Sequence, residues 1–235
     1  MNWMAKTRPN AGLPTRTTAK PGPASAAASA APASANTRVS NGLKEFLWLI
    51  TDSGQGKILD LGAVFQSTVM FFIEKGFRLS TEDLLRSWKE FLLSEEENLR
   101  NAKVGDESAR VSQGMLAGKF LDTNLQYPED TFHGVLAWDL FDYLDAELLP
   151  RVMERLYTLM RPGGAILASF HSRAPERFHR YKIMDPQTIE LVPAPTLAVH
   201  ARVFQNREIL DIFGKFRSSK TFVGRDQVRE ALFLK

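Results

Sequence analysis

Short apolar segments alternate with stretches of helical periodicity along residues 41–235. The clearest of these segments are KILDL at 57–61, GVLAWD at 134–139 and AILASF at 165–170. Continuous apolar runs of this length are typical of strands buried on both faces, and helices between them indicate parallel pairing. The alternation therefore predicts an α/β fold with a doubly wound, mostly parallel sheet.

Seven strands are predicted in this sheet. In addition to the three segments above, strands are expected at 77–81, 119–125, 219–223 and 230–234. Only a short loop with Gly224 separates the last two, so they should form an antiparallel hairpin at the edge of the sheet. Residues 183–185 and 189–192 predict a short β excursion.

The strongest helix pattern precedes the strand at 165–170. One stripe of it is apolar and contains Leu149, Val152, Met153, Leu156, Leu159 and Met160. Asp145 is placed to cap the N-terminus of this helix, and the RPGG cluster at 161–164 ends it. Further helices are expected at 65–73, 84–93 and 206–213.

Residues 1–40 are predicted to form a disordered tail before a single domain at 41–235. The stretch 21–35 is almost entirely Ala, Ser and Pro, which cannot bury enough apolar surface to offset backbone ordering, about 1–2 kcal/mol per residue. The tail holds five of the 30 basic residues and no acid, which leaves 25 bases against 27 acids in the domain. A domain so near neutrality gives no electrostatic reason to expect nucleic-acid binding.

Composition excludes several classes of protein and site. The chain has no cysteine, which excludes disulfides, a thiolate nucleophile and thiolate metal sites. It has no apolar run of about 18 residues, so no membrane-spanning helix is expected, and we predict a cytoplasmic protein. The four histidines, at 133, 171, 179 and 200, lack the spacing of metal ligands, so no metal site is predicted.

Polar residues follow several of the predicted strands. Ligands of open parallel sheets bind at the carboxyl ends of the strands, near the point where the strand order reverses. The residues that should share this rim are Asp60, Gly62, Glu82, Asp83, Asp122, Trp138 and Asp139.

Four segments of the chain resemble the class I S-adenosylmethionine-dependent methyltransferases. They are ILDLG at 58–62, the pair Glu82-Asp83, DTNLQYPEDTFHGVLAWD at 122–139, and LYTLMRPGGAILASF at 156–170. The last is the most specific, because a helix that ends in R-P-G-G before an apolar strand is frequent in that family. The C-terminal helix and hairpin agree as well, so the resemblance extends over residues 57–235.

The resemblance implies a Rossmann-like fold with S-adenosylmethionine as cofactor. By position it assigns the methionine part to Asp60 and Gly62, the ribose hydroxyls to Glu82 and Asp83, the adenine amino group to Asp122, and a wall of the site to Trp138. Asp139 and His171 are the candidate catalytic residues. Asp139 would hold a substrate donor or act as a base. His171 could face the pocket or solvent, and solvent is the commoner position for a histidine in a loop.

The glycine loop departs from the D-x-G-x-G-x-G pattern of that family. Gly62 is present, but Val64 and Gln66 stand at the other two glycine positions. Glycine permits positive φ and close approach of a ligand, which the β-branched Val64 resists.

Two functions remain open after this departure. One is a methyltransferase for an unidentified acceptor, expected to be a small molecule. The other is a methyltransferase-like binding or scaffold protein that has lost the cofactor. A nicotinamide-dependent oxidoreductase is disfavoured, because its G-x-G-x-x-G motif would need glycine where Val64 stands.

Overall fold

The computed structural model describes residues 36–52, 56–101, 113–195, 201–224 and 226–235. Most of the predicted tail, residues 1–35, lies outside this part of the chain. The strands are β1 Thr37–Val39, β2 Lys57–Asp60, β3 Arg78–Thr81, β4 Phe132–Trp138, β5 Met160–His171, β6 His179–Ile183, β7 Thr188–Pro193, β8 Ser218–Val223 and β9 Val228–Leu234. The α-helices are α1 Asn41–Asp52, α2 Gln66–Glu74, α3 Leu84–Asn101, α4 Gln113–Leu121, α5 Leu148–Leu159 and α6 Asn206–Ile212.

The main sheet has the strand order β3-β2-β4-β5-β9-β8. Strands β3, β2, β4 and β5 run parallel. Strand β9 is antiparallel to β5, and β8 pairs antiparallel with β9 at the edge. From β2 the chain moves to β3 on one side and later to β4 and β5 on the other, so the strand order reverses between β2 and β4.

This sheet has six strands in the described part of the chain, one fewer than predicted. The strand expected at 119–125 is wrong, because the segment begins inside helix α4. Ala117 and Phe120 are buried, and the Phe120 ring packs edge-on against Trp88 of α3 at 5.0 Å. Ala117 and Phe120 are three residues apart, which places both on the buried face of a helix, so residues 119–121 continue α4 and do not form a strand.

A second, three-stranded antiparallel sheet has the order β1-β7-β6. Strand β7 contains the predicted strand at 189–192, whereas the strand predicted at 183–185 lies earlier in the chain, as β6 at His179–Ile183. The sheet also contains Thr37–Val39, which pair with residues 188–190. Assigning residues 37–39 to a disordered tail was therefore wrong. Arg38, counted above among the bases of the tail, is buried and lies 3.1 Å from both Glu230 and Asp226.

Both faces of the main sheet are covered. Residues of α3, α4, α5 and α6 join one hydrophobic cluster with the sheet, and residues of α1, α2 and the β6–β7 hairpin join the other. All six residues of the predicted apolar stripe are buried, and five of them lie on α5. The end of the helix was predicted wrongly, because α5 ends at Leu159, and Met160 and the RPGG cluster belong to strand β5. No helix in the described ranges combines the length and the apolar character needed to cross a bilayer.

Leu156→Ala should lower the free energy of unfolding by about 2–5 kcal/mol. Leu156 is fully buried near the middle of the α5 stripe, so the substitution leaves a cavity in the larger cluster. Urea denaturation measures the loss, with the exposed Leu210→Ala on α6 as the matched control. A loss below about 0.5 kcal/mol, the range of surface substitutions, would contradict the packing of α5 on the sheet.

Candidate functional site

The carboxyl ends of β3, β2, β4 and β5 form one rim of the main sheet. Glu82 follows β3, Asp60 ends β2, Trp138 ends β4 and His171 ends β5. Because these strands are parallel neighbours, the fold brings together four residues that lie as much as 111 positions apart in the sequence. The reversal of strand order lies in the middle of this rim, where open α/β sheets bind ligands.

Asp60 is buried at the centre of the rim, with 1% of its surface exposed. Its Oδ1 accepts hydrogen bonds from the Gly62 backbone N–H at 2.9 Å and from the Trp138 indole N–H at 2.7 Å. Burial raises the pKa of Asp60 to about 6. Asp60 and Trp138 are thus brought together as predicted, and the indole N–H donates to Asp60 within the chain.

Trp138 is held in place from both sides. Its backbone has φ +49°, an uncommon conformation for a large residue. Its indole lies parallel to the Tyr181 ring of β6, with the ring centres 5.2 Å apart. A Cβ atom at Gly62 would lie 2.7 Å from the indole, so only glycine fits at that position. The close approach that Gly62 permits is therefore made by Trp138.

Glu82 and Asp83 also have partners within the chain. The Tyr127 hydroxyl donates to Glu82 Oε1 at 2.7 Å, and burial followed by this acid raises the pKa of Tyr127 to about 12. Arg180 of β6 donates to Asp83 Oδ2 at 2.5 Å. Both carboxylates predicted for the ribose hydroxyls therefore accept hydrogen bonds from the chain's own side chains.

The remaining predicted residues of the cofactor site lie at its border. Asp122 is exposed on the turn after α4, five residues before Tyr127, whose hydroxyl reaches the rim. Val64 is 59% exposed and has no positive φ, and Gln66 begins α2 with its side chain exposed. The loop thus avoids the glycine conformation and turns both side chains toward solvent.

The two predicted catalytic residues meet beside the rim. His171 Nε2 lies 3.9 Å from Asp139 Oδ2. A third residue, Asp142, accepts hydrogen bonds at Oδ2 from both the backbone N–H and the ring Nδ1 of His171, each at 2.8 Å. The His171 side chain is only 14% exposed and ends strand β5, so of its two expected positions the solvated loop is wrong.

Electrostatics couple the three residues. Burial raises the pKa of Asp139 to about 7 and also raises that of Asp142. Burial acts to lower the pKa of His171, but the hydrogen bond that its ring donates to Asp142 and the charges of the two carboxylates outweigh burial, so the pKa is raised. Tyr181 faces Asp139 from β6, and burial raises its pKa far above the usual range. The cluster can therefore hold or release a proton near neutral pH.

Sequence reasoning missed Asp142, Tyr127, Arg180 and Tyr181. One feature of the sequence points to Asp142. It lies three residues after Asp139 within the apolar run LFDY, and an acid among apolar residues is not expected to face solvent. Tyr127 lies in the segment that carries the family resemblance, but nothing in its spacing indicates Glu82. Arg180 and Tyr181 gave no signal, because their partners are in distant segments. Among the described residues, no group of three His, Asp or Glu side chains is placed to hold a metal ion.

Comparisons with known proteins place solved methyltransferase structures among the structural neighbours. The S-adenosylhomocysteine-bound 1,6-didemethyltoxoflavin-N1-methyltransferase of Burkholderia thailandensis is 16% identical, with a TM-score of 0.43, over 83% of this chain and 79% of that one. An S-adenosylmethionine-dependent methyltransferase of Mesorhizobium loti is 15% identical, with a TM-score of 0.44, over 82% and 98%. A TehB-like methyltransferase of Corynebacterium glutamicum is 13% identical, with a TM-score of 0.42, over 83% and 87%. No protein-family model and no curated protein matches the chain.

Proposed function

We propose that the protein is an S-adenosylmethionine-dependent methyltransferase that acts on a small-molecule acceptor. The observation that carries the proposal is the row of acids on adjacent strand ends, Asp60 on β2 with Glu82 and Asp83 after β3, at the reversal of strand order. A buried carboxylate suits an ammonium group, and an acid after the next strand suits ribose hydroxyls. The proton-holding His171 cluster at the end of β5 lies on the same rim.

The residue types on this rim fit the cofactor. Asp60 and the Gly62 backbone would hold its methionine part, Glu82 and Asp83 its ribose, and Asp122 its adenine, as the resemblance implies. When bound, S-adenosylmethionine supplies an activated methyl group. The protein would contribute mainly alignment, which is worth up to about 7–11 kcal/mol in well-oriented reactions.

Two acids of the proposed site are hydrogen-bonded within the chain. Trp138 holds Asp60, and Arg180 holds Asp83. Arg180 and the Tyr181 that stacks on Trp138 are adjacent residues of β6. One displacement of the β6–β7 hairpin would therefore release Asp83 and uncover Trp138 together.

His171 is proposed as the group that takes a proton from the acceptor. Its Nδ1 is fixed by Asp142, which leaves Nε2 as the atom that can accept a proton. Asp142 is then a positioning residue, and Asp139 adjusts the charge beside Nε2.

The proposal is tested by calorimetric titration of the full chain with S-adenosylmethionine and S-adenosylhomocysteine. We expect binding, and we expect Glu82→Ala with Asp83→Ala to weaken it by about 1.5–3 kcal/mol or more, because hydrogen bonds to charged groups have that strength. Glu96→Ala with Glu97→Ala, on the exposed part of α3, is the control of equal charge. Equal affinities of the site variant and the wild type would remove the ribose assignment.

A binding or scaffold protein without a cofactor is the second candidate. The hydrogen bond from the Trp138 indole to Asp60 favours it, since the chain itself supplies the donor that a ligand ammonium would supply. Under this alternative neither ligand binds, and releasing Asp60 does not restore binding.

A further inference from the structure

A pocket of about 240 Å³ opens beside His171, at the carboxyl end of β5. It is separate from the row of acids around Asp60. Its charged and titratable lining residues are His171, Arg173, Glu176, Arg177, His179 and Asp226.

Positive charge predominates in this pocket. Asp226 is already paired with the buried Arg38 at 3.1 Å, so Glu176 is the acid that remains against Arg173 and Arg177. The pKa of His179 is lowered by burial and then by the positive charges of His171 and Arg177.

Two carboxylates compensate the positive charge of His171. Asp142 bonds its Nδ1, and Asp139 lies 3.9 Å from its Nε2. The excess positive charge at the mouth of the pocket therefore comes from Arg173 and Arg177, whose side chains are exposed.

We propose that this pocket binds a small anionic molecule through Arg173 and Arg177 and, resting on the proposed function, that the methyl acceptor carries a carboxylate or phosphate group. The planar guanidinium binds either group with two parallel hydrogen bonds. The volume suits a small metabolite and not a polymer. An acceptor held in this way lies against His171, the residue proposed to take its proton.

The test uses histidine ring signals in proton–carbon correlation spectra of the full chain. Inorganic phosphate and acetate are titrated separately at constant pH and ionic strength, with chloride as the balancing anion. Signals are assigned with His171→Gln and His179→Gln, and His133, paired with Arg161 away from the pocket, is the internal reference. The variant is Arg173→Gln with Arg177→Gln. Arg86→Gln with Arg100→Gln on α3 removes the same charge from a surface outside the pocket.

We expect at least one of the two anions to shift the His171 and His179 signals with saturation, at a dissociation constant of about 1–10 mM. The pocket variant should weaken this binding at least tenfold, and the α3 variant should titrate like the wild type. Shifts that do not saturate with either anion, equal responses in the pocket variant, or an equal response to tetramethylammonium would overturn the proposal.

Failure of the pocket and failure of the proposed function can be told apart. Cofactor binding without saturable anion binding would remove the anionic acceptor and leave the methyltransferase proposal intact. Anion binding that depends on the two arginines, without cofactor binding, would leave an anion site on a protein of another function.

Discussion

Replacing Arg38 with alanine is expected to lower the free energy of unfolding by about 3–5 kcal/mol. The Arg38 side chain is 6% exposed and lies 3.1 Å from Glu230, which is 3% exposed. Removing the guanidinium leaves a buried carboxylate without its counter-charge, although the Gly42 backbone N–H still donates to Glu230 Oε2 at 2.8 Å. The loss should appear in urea denaturation of the full chain, with Arg207→Ala, exposed on α6, as a control that stays within about 0.5 kcal/mol.

A double variant separates the missing partner from lost packing. Buried ion pairs are often replaced by apolar residues at little cost, whereas removal of one partner is expensive. Arg38→Met with Glu230→Met should therefore be more stable than Arg38→Met alone. If the single variant loses less than about 1 kcal/mol, strand β1 is not anchored to the main sheet through this pair.

The regular elements were predictable where a local pattern determined them. The α5 stripe predicts the helix and the apolar run at 165–170 predicts most of the following strand, because periodicity acts within one segment. The RPGG cluster was expected to end the helix and instead forms the beginning of β5, where a breaker cluster does not prevent strand pairing. A local pattern is also why the strand at 119–125 is wrong. Phe120 and Leu121 are the last two residues of α4, and a short apolar pair does not distinguish the end of a helix from a strand.

Long-range pairing was not predictable from the residues themselves. Arg38 was assigned to a tail because its neighbours are polar and rich in proline and alanine, yet its partner Glu230 lies 192 positions away. The order of strands in the sheet follows from general rules for α/β folds, but which side chains meet across it depends on register. A shift of one residue turns each side chain to the opposite face.

The residues of the candidate site were predictable, but their partners were not. Asp60, Glu82, Trp138 and Asp139 were predictable on the rim because each lies at or just after the carboxyl end of a predicted strand. Their partners were not visible, since Arg180 contacts Asp83 from 97 positions away. The sequence could therefore suggest which acids would meet a cofactor, and only the structure shows that the chain already bonds them.

Trp138→Phe with Arg180→Gln should increase the affinity for S-adenosylmethionine at least tenfold. Each wild-type side chain donates to a carboxylate that the ligand needs, and a hydrogen bond to a charged group is worth about 1.5–3 kcal/mol. Phenylalanine keeps an aromatic ring against Tyr181 while it removes the indole N–H. The matched control is Trp48→Phe with Arg207→Gln, both exposed on other helices, which should bind like the wild type.

The pH dependence of binding identifies the carboxylate that is released. Because the raised pKa of Asp60 is about 6, the residue is mostly ionised at pH 8 and mostly protonated at pH 5. An ammonium ligand binds the ionised form, so the affinity of the wild type should fall about tenfold between pH 8 and pH 5. The affinity of Trp138→Phe with Arg180→Gln should fall at least as much, because the indole hydrogen bond that lowers the pKa of Asp60 is absent there. In Asp60→Asn this dependence should disappear.

Calorimetric titration of the variants at both pH values decides between the two functions. If Trp138→Phe with Arg180→Gln binds more tightly than the wild type, the protein is a methyltransferase whose site these two residues close. Equal binding would show that Trp138 and Arg180 do not close the site. No binding by any variant at millimolar ligand would support a binding or scaffold protein that has lost the cofactor.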